Sequence, residues 1–117
     1  MTTTDIRKNL NSILKAIQEN RILEAFEKYY HNDIIIYEKG VNRVGKQENR
    51  TFEQGLASHT IVSDLKVLTL LVDENCSAYE CIITFSTDQD TNITKSHYWS
   101  FQKWDQGLIV KEEILNI

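Results

Sequence analysis

His97 and Glu112 are the side chains best suited to moving a proton, an imidazole and a carboxylate on two strands joined by a short hairpin. A two-residue loop at Gln106-Gly107 pairs Asp105 with Leu108, which sets Phe101, Trp99 and His97 opposite Glu112, Ile114 and Asn116. One face then carries His97, Trp99, Phe101, Val110, Glu112 and Ile114. The other carries Tyr98, Ser100, Gln102, Trp104, Ile109, Lys111, Glu113 and Leu115, and is more polar. The first face is therefore expected to be the interior, although a loop one residue longer would exchange Glu112 for Glu113. Burial raises the pKa of a carboxylate, and a neighbouring imidazole can hold or relay its proton. Such a base in a dry pocket suits abstraction of a proton next to a carbonyl. A buried His-Glu pair that only satisfies its own hydrogen bonds would fill the same positions.

Other residues are placed to touch a ligand. Tyr79 shares the expected interior with Trp99 and Phe101, an aromatic setting for the acid. Glu38 ends a strand beside Gly40, where it reaches a cavity mouth or remains a solvated turn acid. Tyr30 and Tyr37 offer phenolic hydroxyls, as core aromatics with a wet tip also do. Asn49 and His59 fall on the inner side of a helix, for ligand contact or for closing the cavity. His31, His59 and His97 are far apart and no paired His or Cys spacing occurs, so neither metal nor cofactor is expected. Val44-Gly45-Lys46 lacks the second glycine and the hydroxyl of a phosphate loop, and no Gly-x-Ser-x-Gly elbow exists.

The elements that must position these groups follow from periodicity. Thr4-Asp5 starts a helix whose apolar stripe is Ile6, Leu10, Ile13, Leu14 and Ile17. Asn20 interrupts, and Ile22, Leu23, Phe26, Tyr29 and Tyr30 form a second stripe. Asp33–Glu38 reads as a short strand, and Arg43-Val-Gly45-Lys46 as a turn into a third helix with Asn49, Phe52, Leu56 and His59 on one side. From Ile61 the period becomes two: Leu65–Val72, Cys76–Thr87, Ile93–Trp104 and Leu108–Ile117 form an antiparallel meander. Strands this long bend. Tyr79, Cys81, Ile83 and Phe85 share one face of the second strand, with Ala78 and Ile82 on the other. A sheet apolar on both faces needs two covers, the helices on one side and a second copy of the chain on the other.

With 117 residues, 41% hydrophobic and 26% charged, the chain reads as one soluble domain over 1–117. A net charge of −4 with scattered basic residues argues against nucleic acid as a partner. The start lacks a basic n-region and an apolar h-region, and Val67–Val72 is too short to span a bilayer, so no membrane association is expected. Cys76 and Cys81 are expected as free thiols, five apart on opposite strand faces, in a reducing cytoplasm.

Phe26-Glu-Lys-Tyr-Tyr-His-Asn-Asp33-Ile-Ile-Ile-Tyr-Glu38, Val44-Gly45-Lys46-Gln-Glu-Asn49-Arg50 and Trp104-Asp-Gln-Gly107-Leu-Ile-Val-Lys-Glu112 together resemble, in order and spacing, the SnoaL-like proteins of the nuclear transport factor 2-like superfamily. The resemblance runs from about Ile13 onward and implies an α+β cone: N-terminal helices in the concave face of a strongly curved antiparallel sheet, around a cavity. It also implies a range of activities, from polyketide cyclases, ketosteroid isomerases and dehydratases to non-catalytic binding modules. The chain departs from the cyclase pattern: its last strand ends Ile114-Leu-Asn-Ile117 without an Asp, and Tyr79–Phe85 carries only Glu80, expected to point outward. Two readings follow. One is a cofactor-independent isomerase, cyclase or dehydratase acting on a small apolar molecule through Glu112 and His97. The other is a homodimeric binding module that holds its ligand unchanged.

Overall fold

The computed structural model describes residues 2–117. Helix α1 (Thr3–Gln18) starts at a capping box: Thr2 Oγ1 accepts from Asp5 N at 3.1 Å, and the Asp5 carboxylate accepts from Thr2 N at 3.1 Å. The cap is Thr2 rather than Thr4, because an acid closes such a box from the third helical position. Asn20 takes a left-handed φ of 60° and separates α1 from α2 (Ile22–Tyr29), the break expected from its interrupted stripe. Ile6, Leu10, Ile13 and Leu14 of α1, with Phe26 of α2, form the helical half of the core.

Strand β1 (Tyr30–Glu38) turns at Lys39-Gly40, φ 53° and 79°, into β2 (Val41–Val44). Positive φ at both central residues makes the tight turn whose twist suits a hairpin. Four residues are too few to show a period, so the sequence pattern suggests only a turn where β2 lies. Helix α3 (Lys46–His59) follows, then β3 (Thr60–Asp73), β4 (Cys76–Thr87), β5 (Thr94–Asp105) and β6 (Leu108–Asn116). The sheet order is β2-β1-β6-β5-β4-β3, antiparallel throughout except for the parallel β1–β6 pair. Breaks in register at Val62/Asp64 and Val67/Thr69 of β3 bend that strand and help the sheet to curve. The result is an α+β fold with helices in the concave face.

A bulge in β6 decides which side chains face inward. Trp104 pairs with Ile109, but Lys103 pairs with Lys111, leaving Val110 without a partner. Beyond it Gln102 lies opposite Glu112, Ser100 opposite Ile114 and Tyr98 opposite Asn116. The uninterrupted hairpin register is thereby corrected. Ser100, Gln102 and Trp104 are buried on the inner face, while His97, Trp99 and Phe101 lie on the outer one. Glu112 and Ile114 still turn inward, because the extra residue flips β6 relative to β5 after the turn. On β4, Tyr79 and Cys81 are buried and Ile83 and Phe85 border the cavity. No helix among the described residues is long and apolar enough to cross a membrane.

Candidate functional site

Between the helices and the inner sheet face lies an open-mouthed cavity of about 710 Å³. Its apolar lining comes from Ile17, Ile22, Leu56, Val62, Ile83 and Phe85. Its polar lining is concentrated in Tyr30, Glu38, Arg43, Glu53 and Glu112. A hollow of this size, mostly apolar with a few converging polar groups, is the usual form of a small-molecule site.

Glu112 is 6% exposed and ends a chain of hydrogen bonds whose direction is fixed. The Trp104 indole can only donate, and it donates from Nε1 to Ser77 Oγ at 2.8 Å. Ser77 must then give its own hydrogen to Gln102 Oε1, at 2.6 Å. Gln102 therefore turns its amide nitrogen to Ser100 Oγ at 2.7 Å, and Ser100 donates to Glu112 Oε2 at 2.7 Å. Tyr30 adds a donor to Oε1 at 3.0 Å, and Gln102 Nε2 a longer one to Oε2 at 3.4 Å. Every neighbour thus points a hydrogen at the carboxyl group.

Burial pushes the Glu112 carboxyl above its ordinary value, and the donors from Ser100, Tyr30 and Gln102 pull it part of the way back. Burial also pushes the Tyr30 and Tyr79 phenols up, so both remain protonated donors at neutral pH. Four lone-pair positions on Glu112 face three protein donors, which leaves one acceptor position without a protein donor. A carboxylate held this way can accept a proton without rearranging its surroundings.

The second polar group is built around Arg43. Its Nη1 and Nη2 both reach Glu38 Oε1 at 3.3 Å, Nε donates to Asn49 Oδ1 at 3.2 Å, and the guanidinium carbon stands 3.6 Å from the Phe52 ring centre. Asn49 is fully buried and donates to the carbonyls of Arg43 and Gly45 at 3.0 and 2.9 Å. It ties β2 to the first turn of α3.

Glu53, one turn further along α3, is half-buried against the cavity and makes no side-chain hydrogen bond among the described residues. Dehydration, then the nearby charge of Glu112, pushes its carboxyl up to about 7, with Arg43 opposing.

Among the residues singled out from sequence, Tyr30, Glu38, Tyr79 and Glu112 border the cavity. Asn49 lies behind the wall as a structural tie. His59 is exposed at the end of α3, its Nδ1 2.6 Å from Asp88. Tyr37 is half-exposed and alternates with the inward Ile36 and Glu38, so it faces the outer side. His97 pairs on the outer face with Glu80, Nε2 to Oε2 at 2.7 Å, and Trp99 stacks on Phe101 there with ring centres 5.8 Å apart. His97 and Glu112 are therefore on opposite sides of the sheet.

Four residues of the site are not among those the sequence pattern singles out. The unbulged register puts Ser100 and Gln102 on the outer face. Arg43 lies in a segment whose sequence reads as a turn. Glu53 is four residues after Asn49, a helical step that puts it on the same side, and this spacing was the signal that could have found it.

No protein-family model matches the sequence, and no curated protein gives a significant match. Solved structures match its shape across nearly its full length. A candidate isomerase from Bacillus subtilis superposes with a TM-score of 0.84 at 13% identity, over 100% of this chain and 90% of the other. An LEH-like epoxide hydrolase from Mycobacterium tuberculosis gives 0.82 at 13% identity, over 97% and 84%. A candidate SnoaL-like polyketide cyclase from Mesorhizobium loti gives 0.78 at 18% identity, over 98% and 99%. The chain has the SnoaL-like, nuclear transport factor 2-like fold. At these identities the likeness is one of fold alone.

Proposed function

We propose that this chain binds a small, largely apolar organic molecule in its cone and moves a proton on it, with Glu112 as the base. The observation that carries this reading is Glu112 itself: a carboxyl group 6% exposed, bordering an apolar hollow, with every neighbouring donor aimed at it. A C–H next to a carbonyl, held against that carboxylate, would lose its proton in surroundings from which water is largely removed. A positioned general base contributes roughly 10²–10⁴-fold to such a step. Tyr30 is a positioning residue, since its hydroxyl fixes one carboxylate oxygen. Isomerisation, cyclisation and dehydration all begin with this proton transfer.

The test is hydrogen exchange. Ketones that protect the protein against thermal unfolding are incubated with it in D2O, and deuterium uptake at the carbon next to the carbonyl is followed by NMR. Catalysed uptake, lost in Glu112→Gln with ligand affinity retained, is the expected result. Binding with uptake no faster than in buffer would leave a module that holds its ligand unchanged, a reading favoured by how fully Glu112 is already hydrogen-bonded.

A homodimer through the outer sheet face belongs to the same proposal. Trp99 and Phe101 stack there beside exposed Leu115 and Leu71, and lysines and glutamates border them. A second copy of this face is the cheapest cover for that apolar centre.

A further inference from the structure

The charges bordering the cavity do not cancel. Arg43 is already spoken for: Glu38 takes two of its nitrogens, Asn49 the third, and Phe52 covers one side of its plane. Its side chain is 11% exposed, so it has little free surface with which to meet an anion. Lys39 belongs to the exposed hairpin turn at the rim, where its charge is solvated. Glu38 and Arg43 together are neutral. Glu53 and Glu112 remain, and of these Glu112 has three protein donors while Glu53 has none. No buried side-chain oxygen among the described residues lacks a partner, so the Glu53 oxygens are open rather than sealed, and a donor on a ligand in the cavity can reach them.

We propose that the ligand carries a protonated amine, bound by Glu53, with its apolar body against Ile17, Ile22, Val62, Ile83 and Phe85. This rests on the cavity being a ligand site, as proposed above, and adds the class of compound. An ammonium group would supply the missing donor to Glu53 and offset the excess negative charge. A carboxylate or phosphate would meet two acids, and the one unpaired cation among the described lining residues, Lys39, stands out on the exposed hairpin turn. The preference is electrostatic but set in a partly enclosed cavity, so it weakens with salt less than a surface pair would.

Binding is also linked to protons. Glu53, at about 7 in the free protein, faces Glu38, Arg43 and Glu112 from β1, β2 and β6, with Lys39 at the rim and the Tyr30, Tyr79 and Tyr98 phenols protonated. A cation beside it favours the carboxylate, so near pH 6.5 binding expels a proton. Amine affinity rises with pH up to about 7 and levels off until the amine itself deprotonates, near pH 10.

The test uses one apolar body with three head groups: 4-phenylbutylamine, 4-phenylbutanol and 4-phenylbutyrate. Titration calorimetry at pH 7.5 should show the amine binding about tenfold or more tighter than the alcohol, and the butyrate weakest. At pH 6.5, heats in two buffers of different ionisation enthalpy should report proton release for the amine only. Glu53→Gln should bring amine and alcohol to equal affinity, and Glu53→Met, which keeps the volume without a donor or charge, should do the same. Equal affinities in the wild type, or an amine preference that survives in both variants, would overturn the inference while leaving the cavity as a ligand site. Failure of all three probes to bind would overturn both. Amine binding without ketone exchange would leave this inference standing and remove the catalytic reading alone.

Discussion

Gln102 and Glu112 lie directly opposite one another across the β5–β6 ladder, and Ser100 completes the link between them at 2.7 Å from each. Their order depends on a residue farther away. The Trp104 indole forces the Ser77 hydroxyl to donate onward, and this orients the Gln102 amide. Ser77→Ala should therefore cost about 1–3 kcal/mol, the penalty of a buried donor left unmade, read from urea unfolding. Gln102 loses the contact that fixes its amide, so its side-chain NH signals should shift or broaden in the same variant.

Glu53 makes stability fall as pH rises. Its carboxyl titrates near 4.5 when unfolded and at about 7 when folded, so the folded chain binds its proton more tightly. The protonated form favours folding: that contribution is complete below pH 4.5, declines through the interval to 7 and is gone above it. In Glu53→Gln this part of the decline should be absent, leaving only that of groups such as Glu112, and the variant should be the more stable protein at pH 8. Melting temperatures of both proteins across this range check the sign.

The two acids are coupled. The charge of Glu112 is the second cause of the upward shift at Glu53, after dehydration. Glu112→Gln removes that charge, so the Glu53 carboxyl should titrate at lower pH than in the wild type, followed by its side-chain carbon resonance. A titration unchanged by this substitution would mean the two groups do not sense each other.

Asn49 makes three hydrogen bonds from a fully buried position. Asn49→Ala takes the side-chain donor from the Arg43 carbonyl and the acceptor from Arg43 Nε, while the Gly45 carbonyl keeps the backbone N–H of residue 49, and stability should drop by about 1–3 kcal/mol in denaturant titration. Arg43 would also lose part of its cage.

The outer face gives the test of assembly. Phe101→Glu places a charge at the centre of the apolar patch, next to Trp99. Light scattering should report a dimer for the wild type and a monomer for the variant, with cavity ligands still bound. A wild type that is monomeric at all concentrations would remove the dimer proposal.

Most of the architecture is visible in the residue pattern, because it rests on repeated spacing. The stripes of α1 and α2, the break at Asn20 and the four long strands each bury an apolar side in a way the sequence displays. The site is less visible, for a specific reason. Val110 is one unpaired residue in a smooth run of β-formers, and nothing in Leu108–Glu113 marks it as different. That one residue moves His97, Trp99 and Phe101 to the outside and brings Ser100 and Gln102 to Glu112. The unbulged register turns Glu112 inward on β6 but gives it the wrong companions on β5. Polar residues such as Ser100 and Gln102 read as solvent-facing because periodicity counts them as polar, without seeing that they satisfy one another.

Asn20 has a consequence outside the cavity. Its side-chain amide donates to Val62 O at 2.9 Å and accepts from Val62 N at 2.8 Å, on the strand at the edge of the sheet. Those two contacts imitate a neighbouring strand where no strand lies. An unprotected margin of that length invites stacking into polymers. The residue that breaks the helical run therefore also helps to keep the chain from aggregating.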